Sequence, residues 1–113
     1  MKNKQPAKLL SLYISEHDQY RGKPLYEALV ARCQELNLAG VTVFRGLEGF
    51  GRTSEIHRPH LFTHDQPIVI TVVETPERAE QALPELQSMM PSGVIAVTDV
   101  EMMVISKGRH LVT

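Results

Sequence analysis

The chain has 113 residues, 12 Lys and Arg against 13 Asp and Glu, one cysteine and no tryptophan. That length favours a single domain over residues 1–113, with a core large enough to fold without the disulfide that one cysteine cannot make. A net charge of −1 argues against a dedicated nucleic-acid binder, and no apolar run nears the roughly 18 residues of a membrane span. The polar start at 1–8 lacks the apolar stretch of a signal peptide, so the expected setting is a reducing cytoplasm with no direct membrane insertion.

In chain order, Leu9-Leu10-Ser11-Leu12-Tyr13-Ile14-Ser15 is apolar and reads as a first strand. A polar link over 16–23 follows, and Pro24 suits the first turn of a helix, where its missing N–H loses no partner. Leu25, Leu29, Cys33 and Leu36 then form one helical stripe, and Asn37 or Gly40 can end the helix in a left-handed conformation. Val41-Thr42-Val43-Phe44 is a second strand. From Arg45 to Gln66 periodicity is lost among Gly46, Gly49, Gly51, Pro59 and three histidines; a connection of about 20 residues in a small domain points to function.

Pro67-Ile68-Val69-Ile70-Thr71-Val72-Val73 is a third strand, whose nearly continuous apolar character predicts a central place covered on both faces. Thr75-Pro76-Glu77 opens a second helix with an apolar stripe of Ala79, Leu83, Leu86 and Met90, which Pro84 should kink or split. Pro91-Ser92-Gly93 is a turn, and 94–105 is a fourth strand with a bend expected near Thr98-Asp99. The order βαββαβ is that of the α+β ferredoxin-like fold: one antiparallel sheet, two helices on one face, and here a long loop between strands two and three. A sheet covered on one face leaves the other needing burial, which predicts a closed homo-oligomer.

The charge is segregated. Residues 21–64 carry six basic and four acidic side chains with His57, His60 and His64, whereas 65–101 carry seven acids and one base. Gly49-Phe50-Gly51-Arg52 could bring backbone N–H groups and a guanidinium to an anion, or be a turn with a solvated arginine. Glu48-Gly49-Phe50-Gly51 has a superficial likeness to an RNA-recognition motif, but strand three offers no aromatic ring for stacking bases. The spacing of His57, His60 and His64 could gather imidazoles on a metal, yet exposed loop histidines are the favoured reading and no metal site is assigned. Arg21-Gly22-Lys23 reads as a solvated turn in preference to a phosphate contact, and Cys33, on an apolar stripe, as core in preference to nucleophile. No nucleophile–base order, carboxylate pair or phosphate loop marks an enzyme.

Three segments together, Gly22-Lys23-Pro24-Leu25-Tyr26-Glu27-Ala28, Leu38-Ala39-Gly40-Val41-Thr42-Val43 and Arg45-Gly46-Leu47-Glu48-Gly49-Phe50-Gly51, resemble the P-II-like family of domain of unknown function 190 over about residues 8–106. That family looks like a branch of the nitrogen regulatory P-II superfamily: ferredoxin-like homotrimers that bind adenine nucleotides between subunits and use the long loop (45–66 here) to reach partner proteins. The resemblance implies a non-enzymatic regulator whose small anionic ligand meets Thr42, Gly49, Phe50, Gly51 and Arg52. Ser92 and Gly93 match the phosphate loop loosely, without its lysine and with one glycine, and Lys107-Gly108-Arg109 is the nearest basic cluster to the superfamily's terminal segment, with Arg109 its candidate ligand residue. These departures favour AMP or ADP over ATP, with no cofactor required. The Thr42 to Arg52 spacing, one residue longer than in P-II proteins, predicts a bulge around Gly46. A metal-binding or metal-tolerance trimer built on the loop histidines and a ligand-free protein-interaction module are the alternatives.

Overall fold

The computed structural model describes residues 3–47 and 66–105. Strand β1 spans Lys4–Ser15; a two-residue pair, β2 (Gln19–Tyr20) and β3 (Lys23–Pro24), leads into helix α1 (Leu25–Glu35). Strand β4 (Val41–Arg45), strand β5 (Pro67–Glu74), helix α2 (Pro76–Met89) and strand β6 (Val94–Met103) complete the chain order. Four strands form one sheet in the order β4–β5–β1–β6, and every neighbouring pair is antiparallel. This is the ferredoxin-like α+β fold, with β5 central as expected but buried on one face only, since Val73 on the other is 38% exposed.

Period two along the strands builds the core. Leu10, Leu12 and Ile14 of β1 stand opposite Val72, Ile70 and Ile68 of β5, and all six are buried. Leu25, Leu29 and Cys33 of α1 and Ala79, Ala82 and Leu86 of α2 cover them. Each fully buried aliphatic side chain of this size contributes about 2 kcal/mol of transfer free energy. Leu36, Leu83 and Met90 from the expected stripes pack at the margin, and Ala82, which the stripe omitted, lies inside.

The connections are tied by polar groups. Glu74, at the end of β5, is only 3% exposed. Its carboxylate accepts the N–H of Ala39 at 2.6 Å and of Thr75 at 2.9 Å, and lies 3.4 Å from Arg78 Nε. Arg78 also donates to the Asn37 carbonyl, so one buried acid and one arginine join the end of α1 to the start of α2. Asn37 closes α1 at φ 59°, the left-handed cap expected of it.

Several expectations change. The first strand begins at Lys4, because Lys4–Tyr13 pair with β6 and backbone pairing needs no apolar side chains. The link over 16–23 contains the small β2–β3 hairpin, whose turn residues Arg21 and Gly22 both have positive φ, as a tight two-residue hairpin turn requires. Pro24 precedes the first turn of α1 as its N-cap residue. Thr75 stands at the N-cap of α2 without a capping side-chain bond; its hydroxyl meets Glu74 Oε2 at 3.5 Å. Pro84 does not split α2, which runs unbroken from Pro76 to Met89; Pro84 is exposed, and an exposed proline lets water satisfy the carbonyl it leaves free. Pairing passes through Thr98 and Asp99 without interruption, and β6 ends at Met103, short of the expected 105. No bulge occurs up to Gly46: Arg45 pairs with Ile68, and the Gly46 N–H donates to the Pro67 carbonyl at 2.8 Å.

Cys33 is fully buried, and desolvation pushes its thiol up from 9.0 to about 11. Above pH 9 the unfolded thiol ionises while the native one stays protonated, so this group opposes folding as pH rises from about 9 to about 11. Native protein at pH 8 should therefore react with a thiol reagent at least 100-fold more slowly than unfolded protein, on the order expected when reaction requires opening. A colorimetric thiol assay with and without denaturant measures the ratio, and equal rates would refute the core placement.

Candidate functional site

The antiparallel register collects four segments at one end of the sheet: the finish of β1, the exit of β4, the start of β5 and the turn before β6. Ser15 pairs with Pro67, Arg45 with Ile68 and Tyr13 with Val94. The long connection therefore leaves and returns at neighbouring points.

Its root is fastened. The Glu16 N–H donates to the Gln66 carbonyl at 2.9 Å, while Glu16 Oε1 accepts the Gln66 N–H at 3.3 Å and Oε2 accepts from Arg45 Nη1 at 2.8 Å. A Cβ at Gly46 would lie 2.7 Å from Pro67 Cγ, so glycine permits the two legs to approach this closely. Asp18 shapes the neighbouring turn: its carboxylate accepts the Ser15 N–H at 2.9 Å and its carbonyl accepts the Leu25 N–H at 2.8 Å. The sequence does not mark Glu16, one polar residue in a polar link whose partners stand 29 and 50 positions away.

The face of the sheet opposite the helices bears Leu9, Ser11 and Tyr13 of β1, Val69, Thr71 and Val73 of β5, and Thr42 and Phe44 of β4. Phe44 is 54% exposed and Tyr13 47%. Rows run across the strands: Phe44, Val69, Tyr13 and Val94 form one, and Thr42, Thr71, Ser11 and Ala96 the next. This is a broad apolar surface crossed by one line of hydroxyls.

Of the expected ligand residues, the structure describes Thr42, Ser92 and Gly93. Thr42 sits on β4 and Ser92-Gly93 leads into β6, the strands at opposite edges of the sheet. One protomer does not bring them together. Gly49, Phe50, Gly51, Arg52 and Arg109, and the histidines His57, His60 and His64, lie outside the described residues. Among the described residues no group of His, Cys, Asp and Glu is arranged for a metal, and no helix is long and apolar enough to cross a membrane.

The Arg21-Gly22-Lys23 segment belongs to the other layer. It borders a cleft of about 700 Å³ between the hairpin, α1 and α2. Arg21 lies 5.0 Å from the centroid of the Tyr20 ring, and Arg32 is shared by Glu35 at 2.8 Å and Glu85 at 2.7 Å. These pairings brace the two helices and leave the cleft with mixed charge.

The comparisons with known proteins agree with this architecture. The family DUF190, described as "Uncharacterized ACR", matches residues 7–102, and the chain belongs to that family. A UPF0166 protein of Aquifex aeolicus is 36% identical over 96 residues, 83% of this chain and 90% of that one. A solved PII-like signalling protein of Thermus thermophilus superimposes with a TM-score of 0.58 at 20% identity, covering 91% of this chain and 93% of the other. CPII of Thiomonas intermedia, a nitrogen regulatory PII-like protein solved with ADP, AMP and bicarbonate, superimposes with a TM-score of 0.61 at 20% identity, covering 89% and 92%. The fold is therefore that of PII-like proteins.

Gly93 tests the geometry of the turn. Its φ is 121°, and a Cβ there would lie 2.5 Å from the Tyr13 carbonyl oxygen. Gly93→Ala should destabilise the protein by more than about 2 kcal/mol in denaturant unfolding. Gly40→Ala, with nothing within 4 Å of its Cβ, should stay within about 0.5 kcal/mol of wild type. Equal midpoints for the two variants would contradict the packing of the turn on β1.

Proposed function

We propose that the protein is a non-enzymatic, cytoplasmic PII-like regulator that assembles as a homotrimer, binds a small anionic ligand between subunits and signals to a protein partner through residues 45–66. The ligand is an adenine nucleotide, AMP or ADP in preference to ATP. The observation that carries the reading is the shared fold with CPII, which binds ADP and AMP, in a chain whose family membership extends over residues 7–102.

Two features of the protomer support it. The apolar face bearing Tyr13, Phe44, Val69 and Val73 is the kind of surface that a second copy covers. The separation of Thr42 from Ser92-Gly93 favours a site assembled from the β4 edge of one copy and the β6 edge of the next. In this reading Thr42 hydrogen-bonds the base or ribose. The backbone of Gly49, Phe50 and Gly51 and the guanidinium of Arg52 meet the phosphates, with Ser92, Gly93 and Arg109 beside them. Ligand binding shifts the population of loop conformations that the partner reads.

Calorimetry with AMP, ADP and ATP should give measurable heat for the first two at tens of micromolar protein. Arg52→Ala should weaken ADP binding by roughly tenfold or more, as loss of a charge-assisted phosphate contact does. Thr42→Val should weaken it by about fivefold, the size of one neutral hydrogen bond. Absence of heat with all three nucleotides would refute the reading.

A further inference from the structure

Glu16 touches both legs of the long connection through different oxygens, Oε1 to the Gln66 N–H and Oε2 to Arg45 Nη1. The two partners are not equally held. The Glu16 side chain is 21% exposed and anchored by its own backbone bond to Gln66, whereas the Arg45 side chain is 49% exposed. Arg45 is the last residue of β4, on the leg that leaves the sheet. Among the described residues its guanidinium is engaged by Glu16, through one nitrogen, and a guanidinium has five N–H donors. A phosphate or carboxylate arriving at this end of the sheet can take that guanidinium in a bidentate, charge-assisted contact that the single Glu16 oxygen does not provide.

We propose that Glu16 is a positioning residue that competes with a bound anion for Arg45. Without ligand, Glu16 holds the exit and return legs together. When an anion takes Arg45, the exit leg loses its tie to Glu16, and the freed carboxylate holds the Gln66 N–H less steadily while the backbone bond from Glu16 to the Gln66 carbonyl remains. The proposal rests on the reading that an anionic ligand binds at this end of the sheet, and it adds the element that couples that ligand to the loop. The bistable element is Arg45, which pairs either with Glu16 or with the ligand.

The test has two arms. In the first, hydrogen exchange of the Gln66 amide is followed without nucleotide. Glu16→Gln, which keeps an acceptor and loses the charge, should speed exchange there by about two- to fivefold, the range an ion pair of this exposure commands. Exchange at the Leu9 amide, distant on β1, should not change. Inorganic phosphate should speed Gln66 exchange in wild type and leave Arg45→Gln unaffected. Unchanged Gln66 exchange in Glu16→Gln, or equal acceleration at Leu9, would overturn the proposal. Should Glu16→Gln fail to fold, Arg45→Gln carries this arm: faster Gln66 exchange, insensitive to phosphate, supports it, and wild-type exchange overturns it.

In the second arm ADP is titrated by calorimetry. Glu16→Gln should bind ADP about two- to fivefold more tightly than wild type, and adding Arg45→Gln should remove that gain. Weaker binding in Glu16→Gln, or a gain that survives Arg45→Gln, would overturn the competition. If ADP binds no form of the protein, the nucleotide reading fails, while the exchange arm still decides whether Glu16 and Arg45 respond to an anion.

Discussion

Leu10, Leu12 and Ile14 on β1 stand directly opposite Val72, Ile70 and Ile68 on β5, and this ladder governs where the other elements can lie. With side chains alternating every residue, the same register that buries these six under α1 and α2 turns Leu9, Tyr13, Val69 and Val73 to the opposite face. A slip of one residue would exchange the two sets. The helices have covered one face, and the other remains apolar with large side chains half exposed. Burying that second face by association among copies satisfies a constraint already written into β1 and β5.

The same ladder places the ends of the long connection. Because β4 and β5 are adjacent and antiparallel, the chain departs at Arg45 and returns at Gln66 beside the end of β1. There Glu16 meets both legs, and the close approach of Gly46 to Pro67 narrows the root further. The turn through Ser92-Gly93 is packed against the Tyr13 carbonyl at this end of the sheet, but next to the far strand. Core, exposed face and loop root are thus consequences of one register.

The fold was largely legible because its signals are local. The apolar runs at 9–15 and 67–73, the stripe through Leu25, Leu29 and Cys33, and the Asn37 cap all rest on neighbours within a turn or a pleat. The β2–β3 hairpin was not legible, since two-residue strands carry no periodicity. That α2 is not split at Pro84 is not legible either, because the cost of a proline depends on whether water can reach the freed carbonyl, a tertiary property. Thr42, Ser92 and Gly93 are candidate ligand residues on motif resemblance alone. Their separation across the sheet, the role of Glu16 and the burial of Glu74 depend on contacts between residues 29 to 50 positions apart and on strand order. No single-residue pattern carries that information.

The central claim is that copies of this chain cover one another's open sheet faces and hold adenine nucleotide at the edges so formed. Native mass spectrometry reads both parts in one spectrum. The account predicts a trimer at micromolar protein that takes up as many as three ADP molecules. A monomer, or a trimer whose mass does not change with ADP, would contradict it.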